Sequence, residues 1–178
     1  MKKPAALSAS AAGRRPSVVT NPSKEEKQMA IFREKPYTGI NFVVDLGNGD
    51  EFGPESGLCE VVFPEARVQM LDYRNGNDKE SQPRKLQTLT RYGNLLLRRG
   101  VIGSLLWYQW WNALRNQDIK ATRTITVKLL NEDRSEVVLI WKFLQARPVN
   151  YQVSPLNALG LEPLMESLEV AFDRFEME

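Results

Sequence analysis

A chain of 178 residues, 42% hydrophobic and 26% charged, holds one globular domain and a tail. With no histidine and one cysteine it excludes Ser-His-Asp and Cys-His catalysis, a His/Cys zinc site and an intrachain disulfide, and it suits a reducing compartment. The net charge of +2 is split: residues 1–35 hold eight Lys/Arg against three acids, a net of +5, whereas residues 36–178 carry −3, so the basic character belongs to an arm.

The arm, residues 1–35, is rich in Ala, Ser, Pro and Lys/Arg and has few large apolar side chains before Met29. It cannot bury enough surface to offset its ordering entropy, so it is expected to be flexible in isolation. The small-residue stretch 4–12 contains one strongly apolar residue, Leu7, too few for a secretory signal. No run reaches the ~18 apolar residues of a membrane span. The body is residues 36–178.

From Gly39 the apolar period is mostly two. Ile40, Phe42, Val44 and Leu46 share one face, and Asn48-Gly49 behind them signals a hairpin into a second strand at 58–63. Cys59 in that strand is expected to be a small buried side chain. Further strands are expected at 66–70, 94–99, 124–129, 137–143, 148–153 and 168–173. Eight short strands in one body point to a β-sandwich or barrel.

One helix interrupts the alternation. Ser104 is the expected N-cap, and Trp107, Trp110, Trp111 and Leu114 follow at i, i+3, i+4 and i+7. An aromatic platform for a ligand or nucleic acid is one reading of three clustered tryptophans. Core packing is favoured, because Leu106 and Ala113 widen the same face with aliphatic residues.

The stretch 72–93 joins two strands through 22 mostly polar residues. A connection this long inside a compact domain is usually functional. A hairpin arm reaching onto a neighbouring subunit accounts for both its length and its polarity.

Catalytic and metal signals are weak. Residues 45–51 lack the spacing of a calcium loop, and Gly47 and Gly49 complete no phosphate-binding pattern. No carboxylate pair stands out as an acid/base couple. Arg98-Arg99 and Arg84-Lys85 are too few for a phosphate-binding patch and read as ion-pairing residues.

At Tyr73-Arg74-x-Gly76, then Pro83-Arg84-Lys85-Leu86-x-x-Leu89-Thr90-Arg91-Tyr92-Gly93-Asn94-x-x-Leu97-Arg98-Arg99-Gly100-Val101, the chain resembles a known family. These are the inner-tube (tail tube) proteins of contractile phage tails and phage-tail-like contractile injection systems. The likeness continues through the tryptophan helix, Arg123-Thr124-Ile125-Thr126-Val127-x-Leu129-Leu130, and Trp141-Lys142-Phe143-x-x-Ala146-x-Pro148, and spans about 37–175. The chain departs from the pattern at Gln87-Thr88, where the family has Pro-Gly. It departs again in the apolar run Leu95-Leu96-Leu97 and in the length of its arm.

The resemblance implies a mainly β fold: a barrel or sandwich of short antiparallel strands with one flanking α-helix and a long hairpin arm (tail-tube/Hcp-like). It implies six copies in a ring, rings stacked into a hollow tube, and a contractile sheath that drives the tube through a target membrane. The expected subunit-interface residues are Tyr73, Arg74, Gly76, Pro83, Arg84, Lys85, Leu86, Thr90, Tyr92, Arg98 and Arg99. Trp107, Trp110, Trp111 and Leu114 are expected to pack the helix on the core. No catalytic residue, cofactor or metal is expected.

Expected partners are further copies of the chain, a sheath protein, baseplate and spike proteins, and cargo or DNA in the lumen, with no stable membrane insertion of the monomer. Assembly in the cytoplasm into a phage tail or a phage-tail-like particle, which can then be released, is expected. Two other readings stand beside the bulk tube subunit. One is a specialised initiator or terminal ring of the same machine, motivated by the long arm. The other is a β-barrel nucleic-acid-binding module, motivated by the +5 arm and the tryptophans.

Overall fold

The computed structural model describes residues 33–117 and 121–178, so most of the expected arm lies outside the described residues. The described residues contain nine strands: β1 (Phe42–Asp45), β2 (Glu60–Val62), β3 (Ala66–Tyr73), β4 (Arg84–Tyr92), β5 (Leu95–Gly100), β6 (Arg123–Leu130), β7 (Val137–Val153), β8 (Met165–Ala171) and β9 (Arg174–Met177). One helix, α1 (Leu106–Arg115), lies between β5 and β6. Seven strands form an antiparallel sheet in the order β1-β6-β7-β8-β5-β2, with β9 beside β7, and β3 and β4 pair only with each other.

The sheet rolls up because its strands have one apolar face and must cover it. In β5, Leu95 and Leu97 point inward, and in β8 Leu168 and Val170 do so. Val44, Ile125, Val127 and Phe143 complete the core from β1, β6 and β7. Phe63, just past β2 at one end of the strand order, packs on Trp141 of β7 with ring centroids 4.7 Å apart. That contact brings the far edge of the sheet back over its centre, giving an antiparallel β-barrel with one flanking helix.

β7 is a single strand of 17 residues where the sequence suggested two, 137–143 and 148–153. Gln145 has φ +55° and sits at a bulge opposite β6, so the strand bends without ending. Its first half pairs with β6 and β9 and its second half with β8. Pro148 stands beside a further irregularity in the pairing with β8, where a missing N–H is tolerated. β9 was not expected. It continues the register of β8 along β7 after a break at Phe172 and Asp173.

The Asn48-Gly49 hairpin does not form. β1 pairs with β6 and β2 pairs with β5, so the segment between them crosses from one sheet edge to the other. Asp45 redirects the chain, because its Oδ1 accepts the backbone N–H groups of Gly47, Asn48 and Gly49 at 2.8, 3.2 and 3.0 Å. Gly47 has φ +83°, and a Cβ there would lie 2.9 Å from the Thr124 carbonyl oxygen. Cys59 precedes β2 and is exposed, contrary to the buried position expected from alternation. Its strand lies at an edge, where no second layer covers it.

Candidate functional site

β3 and β4 leave the barrel as one long hairpin, and the stretch 72–93, read as a hairpin arm, makes up its tip and its second strand. Its register runs from Ala66 opposite Tyr92 to Tyr73 opposite Arg84, with a bulge in β4 where Thr88 and Leu89 stand opposite Gln69. Thr88 Oγ1 donates to the carbonyl oxygen of Gln69 at 3.0 Å and pins that bulge. The strand at 84–92 is hard to see in sequence because Arg84, Lys85, Gln87, Thr88, Thr90 and Arg91 make it polar on both faces.

Every residue of β3 is exposed, and so is every residue of β4 except Tyr92. The exposed side chains include Val68, Met70, Leu71, Tyr73, Leu86 and Leu89. Leu71 and Leu86 sit directly opposite each other. A two-stranded ribbon solvated on both faces is marginal by itself, and apolar pairs on it gain little until another surface covers them.

The tip is ordered by its own polar groups. Arg74 donates through Nε to the Glu80 carbonyl oxygen at 2.8 Å and through Nη2 to the Asp78 carbonyl oxygen at 2.9 Å. Asp78 accepts the Asn75 N–H at 2.9 Å and pairs with Arg84 at 3.1 Å. Lys85 pairs with Asp72 at 3.1 Å, and the Tyr73 hydroxyl donates to Asn75 Oδ1 at 2.7 Å. Gly76 and Pro83 lie in this exposed tip. Of the expected interface residues, Tyr73, Arg74, Gly76, Pro83, Arg84, Lys85, Leu86 and Thr90 therefore fall together on one projecting element.

Three fall elsewhere. Tyr92 is the root of the hairpin and packs inward, with its ring 5.5 Å from Phe172 and 5.6 Å from Phe175. Arg98 is on the barrel surface and pairs with Glu60 at 2.8 Å. Arg99 is fully buried, so it has no surface to offer a neighbouring copy, and its expected interface role is corrected. The β5 alternation puts residues 95, 97 and 99 on the inner face. Arg99 is accommodated there because Nε donates to Glu166 Oε1 at 2.6 Å and Nη1 to the Glu55 carbonyl oxygen at 2.7 Å. Its guanidinium also lies 4.3 Å from the Trp107 ring.

Glu166 accepts a second bond from the Tyr151 hydroxyl at 2.9 Å. Burial, and then that bond, hold the Tyr151 hydroxyl above its ordinary pKa. A buried ion pair of this kind contributes little net stability, whereas removing one partner alone is costly. The structure places Arg99 inward, and nothing in sequence pointed to Glu166 as its partner across β5 and β8.

The helix turns most of its tryptophan face into the core. Trp107 and Trp110 are buried, and Trp110 Nε1 donates to the Ala121 carbonyl oxygen at 2.5 Å. Trp111 and Leu114 are half-buried at the helix margin, with Arg115 over the Trp111 ring at 5.2 Å. Ser104 lies one residue before the N-cap, Leu105, yet its Oγ accepts the Leu106 N–H at 3.2 Å and donates to Glu55. Arg123 lies over Trp110 at 4.7 Å, and burial lowers its pKa. Among the described residues no group of three or more His, Cys, Asp or Glu is placed to hold a metal.

The sequence matches the family described as "T4-like virus tail tube protein gp19" over residues 38–176. The chain belongs to that tail tube family. No curated protein matches the sequence. Among solved structures, one titled as the anti-feeding prophage tube terminating cap aligns with a TM-score of 0.70 at 22% identity, covering 87% of this chain and 99% of the other. A PVC extracellular contractile injection system in its extended sheath–tube state gives 0.70 at 20% identity, covering 82% and 93%. An anti-feeding prophage baseplate gives 0.67 at 24%, covering 82% and 97%. The tail tube fold is thus that of the barrel, helix and hairpin described above.

Proposed function

We propose that this tail tube family protein forms hexameric rings that stack into a hollow tube inside a contractile sheath, with the β3–β4 hairpin of each copy lying against the next ring. The observation that carries the reading is the hairpin itself, which is ordered at its tip, rooted through Tyr92 in the core, and carries exposed apolar side chains among its polar ones. Head-to-tail contacts close rings when the rotation allows and give open stacks when it does not, and a projecting ribbon serves either. The strand edges left unpaired at β1 and β2 offer neighbouring copies places to join the sheet.

Solved neighbours come from a sheath–tube complex, a tube-terminating cap and a baseplate. That range supports a place in the tube of such a particle, either along its length or as a specialised ring at one end.

Negative-stain electron microscopy of the full chain, at low and high concentration, tests the reading. Rings that stack as concentration rises are expected. Replacing residues 74–83 with a two-residue turn is expected to leave single rings or free subunits. A chain that stays monomeric at every concentration, alone and with a preformed baseplate as template, overturns the proposal.

A further inference from the structure

The hairpin has two unlike faces. Arg67 stands opposite Arg91, Leu71 opposite Leu86 and Tyr73 opposite Arg84. Side chains two apart along a strand share a face, so these three pairs lie on one side of the ribbon. On the other side Val68 faces Thr90, Met70 faces Gln87, and Asp72 and Lys85 pair with each other. The first side thus sets three arginines around a leucine pair, with no acid among them. Arg67 and Arg84 bind Glu65 and Asp78, whereas Arg91 has no carboxylate partner among the described residues. Like charges directly opposite each other destabilise a ribbon, and a carboxylate supplied from outside offsets that cost for Arg67 and Arg91.

The other end of the barrel has the complementary composition. The hairpin runs into the start of β5 through Gly93, whose N–H donates to the Glu65 carbonyl oxygen at 2.8 Å. β5 spans 6 residues, about 20 Å. At its far end Arg99 binds the Glu55 carbonyl oxygen, and the Val101 N–H donates to the Leu164 carbonyl oxygen at 2.9 Å. Those bonds hold two loops there, 46–59 and 154–164. Phe52, Leu156, Leu159 and Leu161 on these loops are largely exposed. Residues 45–60 and 154–165 together carry six acids and no Lys or Arg. Among the described residues the Asp50 and Glu55 carboxylates accept only the Gly53 N–H and the Ser104 hydroxyl, and Glu162 is exposed.

An apolar centre among arginines therefore lies at one end of β5 and an apolar centre among carboxylates at the other. Within one copy the strand keeps them apart, so they meet between copies. Unlike surfaces at opposite ends give a head-to-tail contact that repeats without closing.

Resting on the stacked rings proposed above, we infer that the arginine face of each hairpin docks on the 46–59 and 154–164 loops of a copy in the next ring. The Leu71–Leu86 pair covers Phe52 and the loop leucines, and Arg67 and Arg91 lie against Asp50, Glu55 and Glu162. The apolar contact supplies affinity, and the charges fix which end of a copy the hairpin takes.

The test swaps these charges in the full chain. Arg67→Glu/Arg91→Glu and Asp50→Lys/Glu162→Lys are compared with the wild type by sedimentation and negative-stain microscopy. Each variant alone opposes like charges and is expected to need at least about tenfold more protein to stack. An equal mixture of the two is expected to stack as readily as the wild type, because every hairpin then meets loops of opposite charge. Added salt is expected to weaken wild-type stacking. Thermal unfolding checks that each barrel is intact. A second readout is independent of the charge variants: in a Cys59→Ser background, Leu86→Cys with Phe52→Cys is expected to give a ladder of linked chains with a short bis-maleimide. Wild-type stacking that neither variant changes, or losses that mixing does not restore, overturn the inference and leave the stacked rings standing. A loss in the hairpin variant alone also overturns it, by assigning the arginine face to another anion such as nucleic acid. So does the absence of a ladder from assembled rings. A wild type that never stacks overturns both the inference and the stacked rings.

Discussion

The barrel strand β5, with Leu95 and Leu97, and the hairpin strand β3, with Ala66, Val68 and Met70, both place apolar residues two apart, yet they end in opposite states. In β5, Leu95 and Leu97 are fully buried, and even Arg99 is drawn inward and given partners. In β3, Val68, Met70 and Leu71 remain about half exposed. The difference lies in what faces each strand. Across β5 stand α1 and the rest of the rolled sheet, whereas β3 meets only β4. Alternation states which face is apolar, and only topology states whether a second layer covers it. A body that covers its own apolar face and a projection that leaves apolar surface open divide the labour expected of an assembling subunit: one keeps the fold and the other makes contacts.

The sharpest way to break this comparison is to damage each part and read stability and assembly separately. Trp110→Ala removes a ring with 2% exposure and its bond to Ala121, and it is expected to cost about 3–5 kcal/mol in urea unfolding. A loss below about 1 kcal/mol would mean that α1 is not part of the barrel core. Leu71→Ser with Leu86→Ser should behave in the opposite way. Both side chains are about half exposed and face each other on the hairpin, so subunit stability should change by less than about 0.5 kcal/mol. Ring stacking, read by sedimentation and microscopy, should fall sharply. If the double variant loses as much stability as Trp110→Ala, the hairpin folds onto the body in solution and is not a free projection.

Much of this division was legible in sequence. The barrel class, the tryptophan helix and the projecting segment followed from period-two runs, a helical face and an over-long polar connection. What escaped had physical causes. β4 is polar on both faces, so no alternation marked it. The bend of β7 at Gln145 looked like a strand end, because a bulge and a turn share polar, conformationally permissive residues. Asn48-Gly49 obeyed the local preference for a turn, but Asp45 had already committed those backbone donors, and the partners of β1 and β2 lay far along the chain. Arg99 read as a surface group because charge is rarely buried, and its compensation by Glu166 and Glu55 is a matter of tertiary geometry.

The mildest expected effect concerns the point where the described chain enters the barrel. Arg33 and Glu132 are surface groups, and their hydrogen bond holds the Glu132 carboxyl below its ordinary pKa. A carboxyl depressed in the folded state contributes its stabilisation above its unfolded pKa of about 4.3. It loses that contribution as pH falls through the lower folded value. Arg33 is shifted upward, away from the acidic range, and does not oppose this. The link should therefore be unchanged from neutral pH to about pH 5 and open only in stronger acid. Carbon-13 titration of the Glu132 carboxyl should give a lower midpoint in the wild type than in Arg33→Gln, with overall unfolding almost unaffected because the pair is solvated. Equal midpoints would show that Arg33 does not hold this carboxylate in solution, and that the entry to the barrel is as free as the flank of the hairpin.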